Sequence, residues 1–155
     1  MTSDLERRLA EQGLQLPPAA APAANYQPYT ISGKLLLISG QLPFQGGKVA
    51  ITGRLGDGVT LEQGQEAARL CGLNILAQAK AACGGDLGKL ARCLKLGAFV
   101  SCTPSFVDHP KVVNGASDLI AGVMGTAGHH ARFAVGCASL PLDAAVEVEA
   151  IFELV

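Results

Sequence analysis

His130-Ala131-Arg132-Phe133-Ala134-Val135-Gly136, followed through Leu140-Pro141 by Val146-Glu147-Val148-Glu149-Ala150-Ile151-Phe152, is the stretch that decides the fold. It sets one arginine among small and apolar residues. Val146, Val148, Ala150, Phe152 and Leu154 alternate with Glu147, Glu149, Ile151 and Glu153, the period of two of a half-buried strand. Two strand-like runs about a Leu-Pro turn predict a hairpin whose second strand is central. Arginine stays charged at any working pH, so inside an apolar strand it needs a built-in carboxylate or an anionic ligand. Glu147 and Glu149 are the nearby partners; a partly free guanidinium fork would instead suit a small carboxylate. A structural ion pair and a binding site both remain open on spacing alone.

Upstream, Asp4 to Gln12 predicts a short helix capped by Ser3 or Asp4 and ended by Gly13, and Leu16 to Ala24 is a Pro/Ala-rich connector. Together they make an N-terminal piece, 1–25, ahead of one domain, 26–155. Tyr29-Thr30-Ile31, the turn Ser32-Gly33 and the apolar run Leu35 to Gly40 predict a hairpin leading into a central strand, stopped at Pro43. Gly46-Gly47 leads to a short edge segment, Lys48 to Ile51. Thr60-Leu61-Glu62-Gln63 has capping-box spacing, and Ala68, Cys71, Gly72, Ile75, Ala79 and Ala82 mark one face of a helix ended by Gly84-Gly85. Leu90 to Ser101 predicts a strand with Leu94, Leu96, Ala98 and Val100 on one side. A second helix, capped by Asp108 with Pro110 in its first turn, buries Val113, Ala116, Ile120 and Val123. The expected class is α+β: one mixed sheet with two helices on one face.

A chain of 155 residues fits one domain with a sizeable core. Charged residues make up only 16%, against the roughly 25% usual in soluble proteins, so part of the exterior is expected to be covered by copies of the chain. Net charge is −1 and aromatics are 5%, which supplies neither a phosphate-binding stripe nor stacking platforms; nucleic acid is not an expected partner. The five cysteines lack C-x-x-C spacing and are odd in number, which suits reduced thiols in the cytoplasm rather than disulfides or zinc. No signal core or membrane-length apolar run is present, so no membrane association is expected. Adjacent His129 and His130 would point to opposite faces of a strand, so no metal is expected. Ser39 lacks a G-x-S-x-G context, and Gly84 to Lys89 lacks phosphate-loop spacing.

Tyr26, Ile38-Ser39-Gly40-Gln41-Leu42-Pro43, Phe99-Val100, Asn114, Ala131-Arg132 and Leu140-Pro141 with Val146 to Ala150 together resemble the Rid (YjgF) family of reactive intermediate deaminases, often labelled L-PSP endoribonucleases. The likeness runs from about Tyr26 to Val155. It implies a chorismate-mutase-like fold assembled as a homotrimer, with clefts between subunits. By that resemblance Arg132 holds the substrate carboxylate with the backbone near Ala134, and Glu147 positions a water. Tyr26, Ser39, Gly40 and Asn114 match the remaining cleft positions. The implied reaction hydrolyses 2-aminoacrylate-type enamines and imines to 2-keto acids and ammonia, without cofactor or metal. The chain departs from the family's usual proline, serine and cysteine around the arginine, having His130, Phe133 and Ala134. The alternative function is therefore a trimeric small-carboxylate binding or regulatory protein without turnover.

Overall fold

The computed structural model describes residues 2–22 and 24–155; Met1 and Ala23, both in the expected N-terminal piece, lie outside the described residues. Its centre is a five-stranded mixed sheet in the order β1-β2-β9-β7-β8. The strands are β1 (Tyr29–Ser32), β2 (Leu35–Gln41), β7 (Leu90–Ser101), β8 (Ala131–Cys137) and β9 (Val146–Leu154). Four two-residue strands, β3 (Phe44–Gln45), β4 (Lys48–Val49), β5 (Arg54–Leu55) and β6 (Gly58–Val59), form two small ladders beside it. The helices are α1 (Asp4–Glu11), α2 (Leu61–Ala82) and α3 (His109–Met124).

The alternation in Val146–Leu154 does place β9 at the sheet's centre, with Val148 and Phe152 wholly buried. The expected hairpin with 131–137 does not form. β8 instead pairs in parallel with β7, and β7 separates it from β9, to which β7 is antiparallel. β7 has two edges, and β9 and β8 take one each, so the two strands near in sequence never meet. β7 also carries a register shift between Cys93 and Lys95. This irregularity turns Leu94 partly outward and gives its expected core place to Cys93, which is 1% exposed.

α2 and α3 cover one face of the sheet. Both begin where the cap residues predict, and in α2 the box is complete: Thr60 Oγ1 accepts from Gln63 N at 3.1 Å while Gln63 Oε1 accepts from Thr60 N at 2.9 Å. Asp108 occupies the cap position of α3 without a side-chain cap bond. The two helices approach closely at Gly115, where a Cβ would collide with the carbonyl oxygen of Gln65. A third helix was not counted in the expected sheet layer. α1 lies across α2 and α3, burying Leu9, pairing Glu6 with Lys80 at 3.0 Å, and donating from Gln12 Nε2 to the Gly122 carbonyl at 3.0 Å.

Among the described residues, no layer covers the other sheet face. Leu35, Leu37, Phe99 and Val135 are each 40% exposed or more, on the strand positions opposite the helices. No helix is long and apolar enough to cross a membrane among the described residues. All five cysteines are free thiols.

Candidate functional site

The seven residues singled out from sequence fall into two groups on this chain. Arg132, Ala134 and Asn114 lie together. Arg132 pairs in register with Leu96, a fully buried residue, so its side chain leaves β8 on the helix side. Its Nη2 donates to the Pro110 carbonyl at 3.0 Å and its Nη1 to Ser117 Oγ at 3.0 Å. Pro110, Asn114 and Ser117 are spaced four and three apart on α3 and share one face of that helix, so exposed Asn114 stands between Arg132's two partners. Ala134 follows Arg132 on the same side and packs against the core. The expected pairing of Arg132 with Glu147 or Glu149 is not made. β7 stands between the two strands, and the odd-numbered residues of β9 face the opposite side of the sheet.

His130 explains how the guanidinium is held. Its Nδ1 lies 2.6 Å from the Gly128 carbonyl oxygen, which can only accept, so the proton of a neutral ring sits on Nδ1. Nε2 is then an acceptor 2.9 Å from Ser117 Oγ. The serine hydroxyl donates to His130, and its lone pair accepts from Arg132. A guanidinium has five N–H donors, and two are engaged here, leaving donors for a carboxylate. Ser117 escaped sequence reasoning; its step of three from Asn114 and seven from Pro110 on one helix face is the signal that was available.

Glu147, Tyr26 and Gly40 gather at the other group, around a cavity of about 460 Å³ whose walls also include Gln41, Gln78 and Leu142. β2 opens for it: between Ile38↔Ala150 and Gln41↔Val148 the register shifts, so Ser39 and Gly40 bulge from the ladder. A Cβ at Gly40 would collide with Glu147 Oε1, so only glycine lets the carboxylate lie against this backbone. Burial, and secondarily the charge of Glu149, pushes the Glu147 carboxyl above its ordinary value. Ser39 is close by, but its hydroxyl donates to the Gln27 carbonyl at 2.7 Å and is already engaged. Gln78, 2% exposed, donates to the Ala20 carbonyl at 2.7 Å and so fastens the connector along this cavity. Leu142, at φ 56° and 63% exposed, stands at the cavity's lip in the left-handed region that costs a bulky residue energy. Arg132 and Asn114 do not line this cavity.

A family model described as "YjgF/chorismate_mutase-like, putative endoribonuclease" matches residues 6–154. The chain belongs to the YjgF family. Protein TCP17 of Trypanosoma cruzi is 50% identical to it over 147 residues, 94% of this chain and 91% of TCP17. Among solved structures, the Agrobacterium tumefaciens protein Atu1372, of unknown function, superposes with a TM-score of 0.92 at 54% identity, covering 98% of this chain and 93% of its own. A Shewanella oneidensis protein bearing the same endoribonuclease description matches with a TM-score of 0.93 at 39% identity, over 97% of this chain and 99% of its own. Membership accounts for the mixed sheet and its helical layer. In this YjgF-family chain the match begins inside α1, which the residues that first carried the resemblance do not reach.

Proposed function

We propose that the chain is a hydrolytic deaminase of reactive enamine and imine intermediates of the 2-aminoacrylate type, acting in clefts between the subunits of a homotrimer. The observation that carries this reading is the division of the site. An anion-binding group (Arg132, Asn114) and an acid–base group (Glu147, Tyr26, Gly40) sit on different parts of one chain, and an exposed apolar sheet face is available to bring copies together.

In a joined cleft Arg132 would hold the substrate carboxylate through its free donors and fix the imine carbon. Glu147, its carboxyl raised by burial, suits a group that takes a proton from water and returns it to the departing nitrogen. Water adds to the C=N carbon, the C–N bond then breaks, and the products are the 2-keto acid and ammonia. Tyr26, 44% exposed, lines the same cavity as Glu147.

One observation favours a second reading, a small-carboxylate binder without turnover: the Ser39 hydroxyl is committed to the Gln27 carbonyl and is not free to assist. A single experiment separates the two. Ammonia and pyruvate release from freshly generated 2-aminoacrylate is measured with wild type and Arg132→Ala, corrected for spontaneous hydrolysis. Acceleration that the variant loses supports the deaminase. Saturable pyruvate binding without acceleration supports the binder, and neither effect removes both.

A further inference from the structure

A second cavity, of about 480 Å³, opens at the end of the β7–β8 pair, and the deaminase reading makes no use of it. Cys102 and His109 line it, with Sγ 3.4 Å from Nε2. Gly136 passes directly beneath them: a Cβ there would lie 2.6 Å from His109 Nε2 and 2.7 Å from Cys102 Sγ, so the pair can meet only over a glycine. The His109 ring is braced edge-on by Phe106, with ring centroids 5.4 Å apart. Arg54 lines the same cavity, held by Asp57 through one nitrogen at 2.9 Å.

The other thiols lack this setting. Cys71 Sγ has only the Val146 carbonyl for company, and burial pushes its thiol well up. Cys93 is pushed up to about 12 by burial. Cys137 lines the same cavity, but it is Cys102 Sγ that meets the His109 ring. Cys137 is raised as well, first by burial. A thiol within reach of an imidazole, with the base braced and a cavity in front, is the arrangement of an activated sulfur nucleophile.

We propose that Cys102, with His109 as its base, is a nucleophilic thiol site that adds covalently to small α,β-unsaturated carbonyl compounds. His109 Nε2 takes the proton from Cys102 Sγ, and the thiolate forms a bond to the β-carbon of the alkene. The displaced π pair moves onto the carbonyl oxygen as an enolate, which Arg54 is placed to meet. The imidazolium returns its proton to the α-carbon, so the net change is addition of S–H across C=C with nothing else consumed. Pro104, Phe106 and Val107 supply an apolar wall for the carbon chain.

The test is the native full-length protein treated with N-ethylmaleimide below stoichiometry, with each cysteine's labelling rate followed by peptide mass mapping. Cys102 is expected to react at least about ten-fold faster than Cys71, Cys93 or Cys137. His109→Gln is expected to slow Cys102 about ten-fold near neutral pH while the other rates stay put. Cys71 reports folding in the same digest; if it becomes reactive in His109→Gln, the wild-type rate ratio decides. The proposal is overturned if wild-type Cys102 labels no faster than Cys71, or if folded His109→Gln labels like wild type.

Discussion

At the residue scale, the arginine was visible in the sequence but its support was not. A charged residue in an apolar strand demands a partner, and that demand pointed to Glu147 and Glu149 because they are near in the chain. The structure meets it with neutral groups instead, the Pro110 carbonyl and Ser117, which come from a helix whose placement against β8 no local pattern reveals. His130 was legible only as a departure from the family pattern; its bonds to Gly128 and Ser117 make it a positioning residue. Ser117→Ala should weaken pyruvate binding about five-fold, one hydrogen bond's worth of about 1 kcal/mol, measured by calorimetry. His130→Ala should do about the same, and His130→Gln, which can still accept from Ser117, should recover most of it. Arg132→Ala should lose binding altogether while keeping the assembly. If only Arg132→Ala has an effect, the relay is not what orders the guanidinium.

Glu147 permits a sign to be predicted. Its folded carboxyl is raised, so the native state favours the protonated form and is penalised for the charge at neutral pH. Stability from this group is fully present below the unfolded value and is lost as pH rises through the raised one. Glu147→Gln should therefore raise the unfolding temperature at neutral pH, with the gain shrinking as the pH falls into the carboxylate range. Thermal melts of the two proteins across that window would show it. A gain independent of pH would mean that the carboxyl is not strained by burial.

At the element scale, the readings that rest on periodicity and capping chemistry correspond closely to the helices and to β7 and β9. They rest on contacts within one turn or one strand, which the sequence contains in full. Strand partnership does not. The hairpin expected about Leu140-Pro141 fails because proximity in the chain says nothing of the edge of β7 that β8 takes instead. Gly115 illustrates a constraint that becomes visible only when two helices meet: at that point α3 touches the α2 backbone at the Gln65 carbonyl, which cannot swing aside as a side chain would. Gly115→Ala should cost about 1–3 kcal/mol through overpacking. For a domain of this size that lowers the melting temperature by about 2–4 °C per kcal/mol, measurable by calorimetry. An unchanged melting temperature would mean that the helices separate freely. Thr60→Ala, removing one half of the capping box, should cost about 1 kcal/mol by the same measurement.

At the scale of the whole molecule, the low charged fraction and the apolar sheet face express one fact in two forms. Leu35, Leu37, Phe99 and Val135 expose a surface that lone soluble proteins rarely leave open. The proposed homotrimer covers it, and the division of the site makes a sharper demand on that assembly than its mass does. If each cleft takes Arg132 from one copy and Glu147 from the next, the two can be disabled in different chains and restored by mixing. Arg132→Ala and Glu147→Gln homotrimers should each be inactive toward 2-aminoacrylate. Unfolded together in equal amounts and refolded, they form trimers in which a cleft works only where an intact arginine meets an intact glutamate from its neighbour. Random assembly gives about a quarter of clefts that combination, so about a quarter of wild-type activity should return. A site built within one chain would regain nothing, because every chain in the mixture lacks one of the two groups. Phe99→Asp, which places a charge in the middle of the apolar face, should prevent both the assembly and the recovery while leaving the helical content of the chain intact.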